Sequence, residues 1–174
     1  RHARVDTAAT HGSGCTLSSA IATRLAHGDD ISVAVQTGID LLSRAVRYNL
    51  DVGGGPGAVH HLVALRDQAA RSETAEAVES LVRTFEGAIA PLVAESGTNV
   101  VGATPFAEEP GEIASVEGKI TRTVDGVRAN RGVRFDASDY LARLLLALRE
   151  LDAGFRFGAS IRHDPAVEQA LGEQ

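Results

Sequence analysis

The segment Thr10-His11-Gly12-Ser13-Gly14-Cys15-Thr16 decides how the first part of this chain folds. Two glycines directly before a run with helical spacing let the backbone turn tightly and leave its amides unshielded. Those amides point along the axis of the helix that we predict from about Thr16 to Ala26, where the helix dipole adds about half a positive charge. The turn can therefore hold an anion. A tight loop with a small buried cysteine is the plain structural alternative, and short glycine motifs alone favour it.

The residues of this turn suit phosphoryl transfer. Amides of Gly12, Ser13 and Gly14 would cradle the transferred group while negative charge spreads over its oxygens. Cys15 lies at the predicted helix N-terminus, where thiols ionise more readily. This position would also place it close to an acceptor hydroxyl. On the residues alone, the turn is therefore a candidate anion site with Cys15 beside it, and the plain structural alternative stays open.

The chain around this turn divides into two sections of different character. A second helix is predicted from about Ile31 to Tyr48, and a glycine-rich loop at 51–57 is followed by the pair His60-His61. Polar residues at 66–71 predict a linker between a first section at 1–65 and a second at 72–174. In the second section Ser72 is predicted to cap a long helix that reaches about Val93, with an apolar face of Ala77, Leu81, Phe85, Ala88 and Leu92.

The rest of the second section mixes strands and helices. Strands are predicted at 99–104, 117–123 and 127–135, the last two as a hairpin around Asp125-Gly126. A helix capped by Ser138 or Asp136 is expected to run through Leu151. A short strand at 157–161 and a final helix opening at Asp164-Pro165 complete the prediction. The fold class is α/β.

Composition narrows the classes of function. The chain has 174 residues, 44% of them hydrophobic, and a net charge of −6 without a cationic cluster, so we expect no nucleic-acid partner. No run approaches the ~20 apolar residues of a membrane span, and the single cysteine excludes an internal disulfide, so a cytoplasmic protein without a membrane partner is expected. Because the chain begins with Arg1 and contains no Met, we expect it to be a segment of a longer protein.

The first section resembles the C-terminal end of hydroxymethylpyrimidine/phosphomethylpyrimidine kinases, which have a ribokinase-like fold. The resemblance covers about 1–65 and includes the stretch from His11 to Ala22, the second helix and the glycine-rich loop. It implies an anion hole formed by Gly12, Ser13, Gly14 and Cys15, with Cys15 catalytic. The intact kinase would use ATP and Mg²⁺, but the family's nucleotide-binding sheet precedes this motif, so we expect no cofactor within these residues and no kinase activity from them alone.

The second section is similar to the archaeal-type (ThiN) thiamine-phosphate synthase domain, from about Ser72 to the end but without the C-terminal part of that domain. Four stretches carry the similarity: 96–101, 113–120, 137–143 and 160–163. From the residues alone, Thr98, Asn99, Ser138 and Arg162 can bind phosphate, or they can be an ordinary connection, a helix cap and a surface charge. The resemblance favours phosphate binding.

Two positions depart from the synthase pattern. Lys119 stands where active members carry Arg, and Tyr140 where they carry His. Lysine lacks the planar fork that grips a diphosphate, and a tyrosine hydroxyl shuttles protons poorly near neutral pH. We therefore expect a synthase domain that is weak or inactive, with Lys119 and Tyr140 at the catalytic positions.

The resemblances imply a role in thiamine biosynthesis, and two other functions stay open. The implied parent phosphorylates hydroxymethylpyrimidine or its phosphate and carries a synthase domain that joins the pyrimidine diphosphate to thiazole phosphate. The alternative is a sensor domain that binds thiamine phosphate and regulates the attached kinase. A third interpretation is an oligomerisation module, for which a homodimer is the simplest form.

Overall fold

The computed structural model describes residues 5–50, 53–85 and 90–172. The chain forms two compact units, Arg1–Gln68 and Ala69–Gln174. Helices and strands occur in both the order and the mixture expected of an α/β chain, which confirms the predicted fold class. Within residues 5–50, 53–85 and 90–172, no helix has both the length and the apolar content needed to cross a bilayer.

The first unit is built on two packed helices, α1 (Ser13–Ala26) and α2 (Ile31–Arg47). The helices approach closely at Gly38, where a Cβ atom would lie 2.9 Å from Cγ1 of Ile21 and 3.3 Å from Cδ1 of Leu17. Ala34 and Ala45 are buried on the same helix. Small residues on α2 therefore let the two backbones come together, which fixes the direction of α1.

After α2 the chain returns to the start of α1. Ala58 forms a parallel bridge with His11, supported by bonds from the amide of His11 to Gly57 O (3.3 Å) and from the amide of Val59 to His11 O (3.4 Å). The amide of His60 donates to Ala45 O at 2.8 Å. The segment 57–60 thus holds the residue that precedes the glycine turn.

The second unit contains a four-stranded antiparallel sheet in the order β5-β2-β1-β6. Its strands pair in registers such as Val101 with Ser115, and Val100 with Ala159. A separate two-stranded hairpin pairs β3 with β4. The strands are β1 (Val100–Ala103), β2 (Ile113–Val116), β3 (Ile120–Thr123), β4 (Gly126–Ala129), β5 (Val133–Phe135) and β6 (Phe157–Ala159).

Helices cover both faces of the sheet. Helix α4 (Asp139–Leu151) buries Leu141 and Leu145 against alternate residues of β1 and β2, among them Val101 and Ile113. On the other face of the sheet, Val78 and Val82 of α3 (Val63–Phe85) pack against the remaining residues of β1 and β2. A last helix, α5 (Pro165–Gly172), follows β6. Because strand side chains alternate between faces, the fully buried pattern of β1 and β2 follows from this cover.

A buried arginine fixes the end of α4. Arg149 is 8% exposed, and its guanidinium donates to Ala153 O (3.0 Å), Phe155 O (3.1 Å) and Pro105 O (2.8 Å). Arg149 therefore ties the helix to the loop after β1 and to the loop before β6. Its planar fork suits several carbonyl acceptors at once.

Two predicted elements are wrong. Helix α3 spans Val63–Phe85, so Ser72 lies inside this helix instead of capping it; the predicted continuation through 86–89, with Ala88, lies outside the described residues. The stretch 127–135 forms two strands in different sheets. The predicted linker at 66–71 is helical, and the division between the two units falls within it, after Gln68.

Candidate functional site

The glycine turn forms the first turn of α1, which begins at Ser13, three residues earlier than predicted. Gly12 is the N-cap residue with φ of 82°, a left-handed conformation that favours glycine. The amide of Ser13 donates to Thr10 O (3.2 Å) and the amide of Thr16 donates to Gly12 O (2.9 Å). Within the described ranges, the amides of Gly14 and Cys15 have no acceptor. These two N–H groups are therefore the ones that can bind an anion.

An open cavity of about 520 Å³ lies beside this turn. A Cβ atom added to Gly14 would meet nothing within 4 Å, so the turn is accessible from that side. Cys15 is exposed and has no disulfide partner. The cavity is lined by residues from α1, from α2 and from the returning segment: His11, Gly12, Cys15, Thr16, Ser19, Ala20, Thr23, Leu41, Ala58 and His61.

Two histidines line the cavity: His11, which is part of the motif, and His61, which is not. The imidazole of His61 lies 2.8 Å (Nε2 to Oγ1) from the hydroxyl of Thr16, and the same hydroxyl donates to Gly12 O at 2.8 Å. His11 precedes the glycine turn directly. His61 is 45 residues away from Thr16 in the sequence, so only the fold brings it to the turn.

The neighbouring histidine, His60, has a different environment. It is 1% exposed. Burial lowers the pKa of the His60 imidazole below 6.5, and repulsion from the Arg66 guanidinium lowers this pKa further. The folded first unit therefore favours neutral His60.

The pKa of His60 predicts how the stability of the first unit depends on pH. Below about pH 6.5 the unfolded chain takes up a proton at His60 that the folded chain does not, so the free energy of unfolding falls as the pH falls from 7 through 6.5, by at most ~1.4 kcal/mol per pH unit for one group. Urea unfolding followed by circular dichroism at several pH values measures this fall. His60→Gln should flatten it and His27→Gln, at an exposed histidine, should not; an unchanged slope in His60→Gln would contradict the prediction.

In the second unit, Thr98 and Asn99 are buried with their polar atoms engaged. The amide and carbonyl of Thr98 pair with Ile120 (2.8 and 2.7 Å), and its hydroxyl accepts from Ala94 N (3.3 Å). Oδ1 of Asn99 accepts from the amides of Val100 (2.9 Å) and Val116 (3.0 Å), while its Nδ2 donates to Val116 O (2.9 Å). These bonds fasten β1 to β2 and β3, so we leave both side chains out of the site that we propose.

Lys119 lies directly before β3, and its side chain is beside Gly97 in the turn that precedes β1. Its φ is 68°, and its Nζ donates to Ser96 O at 3.0 Å. A Cβ atom on Gly97 would be 3.1 Å from Cδ of Lys119, so the lysine stem packs along the turn before β1. The amine of Lys119 is thus exposed but already bound to a backbone carbonyl.

The remaining predicted residues of the second unit are Ser138, Tyr140 and Arg162. The side chain of Ser138 makes no capping bond to α4, Tyr140 is 77% exposed on that helix, and Arg162 pairs with Asp164 (2.6 Å). By register, Val100, Val116 and Ala159 mark one end of the sheet, near Lys119 and Arg162, whereas Phe135 marks the other, where α4 begins. Ala114, the partner of Phe135, is two residues along β2 from Val116, about 7 Å. Lys119 thus follows one end of β2, and Tyr140 follows β5, which leaves the sheet toward the opposite end.

A charged cluster near Lys119 escaped the sequence prediction. Oε1 of Glu117 lies 3.2 Å from Nη1 of both Arg131 and Arg134. All three side chains are partly or largely exposed. Glu117 and Arg134 both lie in predicted strands, but their contact depends on the pairing of β2 with β5.

Comparison with known families identifies both sections. A sequence model of thiamine-phosphate synthase ThiN matches residues 73–174, more than half of the chain, and a model of phosphomethylpyrimidine kinase matches residues 1–60. The chain belongs to the ThiN thiamine-phosphate synthase family. Together the two matches confirm the predicted combination of a kinase segment with a ThiN domain, and they assign the chain to thiamine biosynthesis.

Individual relatives resemble one section each. Over 61 residues the chain is 43% identical to a hydroxymethylpyrimidine/phosphomethylpyrimidine kinase of Streptomyces coelicolor, covering 35% of this chain and 23% of the kinase. Over 58 residues it is 43% identical to the thiamine biosynthesis bifunctional protein ThiED of Geobacter sulfurreducens, covering 33% of this chain and 12% of that protein. The chain thus spans a quarter or less of the length of these curated relatives.

Two solved structures resemble the chain over about three fifths of its length. The C-terminal domain of a phosphomethylpyrimidine kinase is 30% identical with a TM-score of 0.55, covering 59% of this chain and 57% of that one. The C-terminal domain of protein MJ0236 has a TM-score of 0.56 at 18% identity, covering 60% and 58% of the two chains, and it shows the fold alone.

Proposed function

We propose that the first turn of α1 is the phosphoryl-binding turn of a hydroxymethylpyrimidine (phosphate) kinase. The observation that carries this proposal is the pair of amides at Gly14 and Cys15, which have no acceptor in the described ranges and lie beside an open cavity. Two N–H groups at a helix N-terminus stabilise the charge that spreads over a transferred phosphoryl group. Cys15 stands next to them, where its sulfur can accept a proton from the attacking oxygen of the pyrimidine substrate.

ATP would supply the phosphoryl group, and Mg²⁺ would neutralise charge on its phosphates. The amides of Gly14 and Cys15 fit the terminal phosphate. Among the residues that the structure describes, no group of three or more His, Cys, Asp or Glu side chains could hold a metal ion. We therefore assign no Mg²⁺ ligand to these residues.

The kinase proposal is tested in a chimera. The matching 61-residue segment of the Streptomyces coelicolor kinase would be replaced by the corresponding residues of this chain. ATP-dependent phosphorylation of hydroxymethylpyrimidine phosphate by the chimera is the expected result. A folded chimera that binds ATP but transfers no phosphate would contradict the proposal.

We infer for the second unit that thiamine phosphate or its precursors bind without efficient synthesis. Two observations support this: the amine of Lys119 already donates to Ser96 O, and Tyr140, which stands where the synthase pattern has His, is 77% exposed. An effective diphosphate site needs converging cations, and lysine cannot hold a diphosphate with two parallel bonds. The same observations favour the second candidate function, a thiamine-phosphate sensor.

Synthase turnover and binding separate these functions. The assay supplies the pyrimidine diphosphate, thiazole phosphate and Mg²⁺. We expect the 174-residue chain to form thiamine phosphate ~10²–10⁴-fold more slowly than an active ThiN enzyme, because a general acid or base contributes about that factor to the rate. Calorimetry should nevertheless detect thiamine phosphate, with weaker binding in Lys119→Ala than in the control Val124→Ala. Rapid turnover that Tyr140→Phe abolishes would defeat the expectation of a weak synthase, and absent heat would defeat the sensor.

A further inference from the structure

We infer that His61 is a positioning residue for the phosphoryl-binding turn and that it acts through Thr16. The inference rests on the proposed function of this turn. His61 belongs to the segment after the glycine-rich loop, and nothing in the glycine motif itself points to it. Its ring and the hydroxyl of Thr16 both line the cavity beside Cys15.

The hydrogen bonds define which atom donates. The hydroxyl of Thr16 has one proton, which it donates to Gly12 O at 2.8 Å. With that proton directed at Gly12 O, the hydroxyl oxygen accepts in its 2.8 Å contact with Nε2 of His61, and we infer the tautomer of His61 that carries a proton on Nε2. In this tautomer the chain of donors runs from His61 through Thr16 to Gly12.

This chain ends on the atom that shapes the turn. Gly12 O accepts both from the hydroxyl of Thr16 and from its amide (2.9 Å). Gly12 has φ of 82°. The direction of its carbonyl sets the direction in which the next peptide groups continue. The amides of Gly14 and Cys15 come next in that path. Holding Gly12 O in place thus keeps these two amides aimed at one anion.

The environment of His61 sets this role apart from a packing role. His61 is exposed, whereas the adjacent His60 is buried and donates its amide to α2. Removing an exposed imidazole creates no cavity, so the fold should lose little stability. The main-chain bridge between His11 and Ala58 remains in such a variant and keeps the segment in place. Loss of the side-chain bond should therefore affect the turn and leave the unit folded.

The test measures phosphate binding to the amides themselves. Orthophosphate is titrated into the ¹⁵N-labelled 174-residue chain, and the amide signals of Gly14 and Cys15 are followed. We expect saturable shifts in the wild type, a Kd raised about 3- to 10-fold in His61→Leu and equally in Thr16→Val, as for one lost hydrogen bond. His61→Gln, which returns an N–H donor near the position of Nε2, and Thr16→Ser, which keeps the hydroxyl, should bind within about twofold of wild type.

A double variant shows whether the two side chains act as one chain. His61→Leu combined with Thr16→Val should bind no more weakly than either single variant, because both remove the same link. His27→Leu, at an exposed histidine after α1, is the matched control and should bind as the wild type does. If His61→Leu lowers the melting temperature markedly, the pair Thr16→Val and Thr16→Ser decides the question.

The possible failures are distinct. A wild-type chain whose Gly14 and Cys15 amides do not respond to phosphate would overturn the proposed function and the inference together. Phosphate binding that is unchanged in His61→Leu, or additive losses in the double variant, would overturn the role of His61 alone and leave the phosphoryl-binding turn standing.

Discussion

Replacing Asn99 with leucine should lower the free energy of unfolding of the second unit by about 3–4 kcal/mol, because a buried hydrogen-bond network loses its centre. Asn99 is 3% exposed, and its amide group satisfies the amides of Val100 and Val116 and the carbonyl of Val116. Leucine matches the shape of asparagine roughly but pairs with none of these groups. Each buried group left without a partner costs about 1–3 kcal/mol, less whatever local relaxation recovers.

Urea unfolding followed by circular dichroism, together with hydrogen exchange of residues 100–116, measures this loss. Asn130→Leu is the matched control. Asn130 also makes two hydrogen bonds, to Gly118 O (2.6 Å) and with the Thr121 hydroxyl (3.0 Å), but it is exposed, so water can replace them. We expect its loss to stay below ~1 kcal/mol. Equal destabilisation by the two substitutions would show that burial of Asn99 does not govern its contribution.

Local signals in the sequence predicted local structure well. The second helix, predicted from about Ile31 to Tyr48, matches α2 almost to the residue, and the start of α5 at Pro165 was predicted because proline suits the first turn of a helix. Ser138 precedes α4 as predicted, although its side chain makes no capping bond. Each of these elements depends on a few residues that are neighbours in the sequence, so a single sequence is enough to predict it.

Structure that depends on distant residues was not predictable in this way. The residues 127–135 alternate like one strand, but Asn130 to Gly132 lead the chain from the hairpin into the sheet, where β5 pairs with β2. Strand alternation does not specify a partner, and register is decided by the faces that become buried. Asp125-Gly126 did predict a tight turn, but Gly126 pairs with Thr123, so the two loop residues are Val124 and Asp125.

The candidate sites divide in the same way. The turn at Gly12–Cys15 was predictable because a helix N-terminus presents its own amides. The use of Asn99 as a link between strands was not, since its partner Val116 is 17 residues away. His61 was recognised only as the end of a loop, because its contact with Thr16 arises from the parallel bridge between His11 and Ala58. A residue type can indicate chemistry, but only the fold shows which polar atoms are already paired.

Cys15→Ala in the chimeric kinase should lower kcat by about 10²–10⁴-fold, with a much smaller change in the KM for the pyrimidine substrate. In the proposed mechanism the sulfur of Cys15, which lines the cavity beside the two amides, accepts the proton, and alanine removes it without adding bulk. The amides of residues 14 and 15 remain in Cys15→Ala, so binding of the phosphoryl group should persist. Steady-state kinetics with hydroxymethylpyrimidine phosphate and ATP measure both constants.

Two further variants separate proton transfer from other effects of the substitution. Cys15→Asp places another proton acceptor at the helix N-terminus, where a carboxylate is stabilised, and it should retain more activity than Cys15→Ala. Thr37→Ala, at an exposed position on α2, should leave both constants unchanged. If Cys15→Ala keeps its activity, the thiol has no part in moving the proton, and the turn contributes to catalysis through its amides alone.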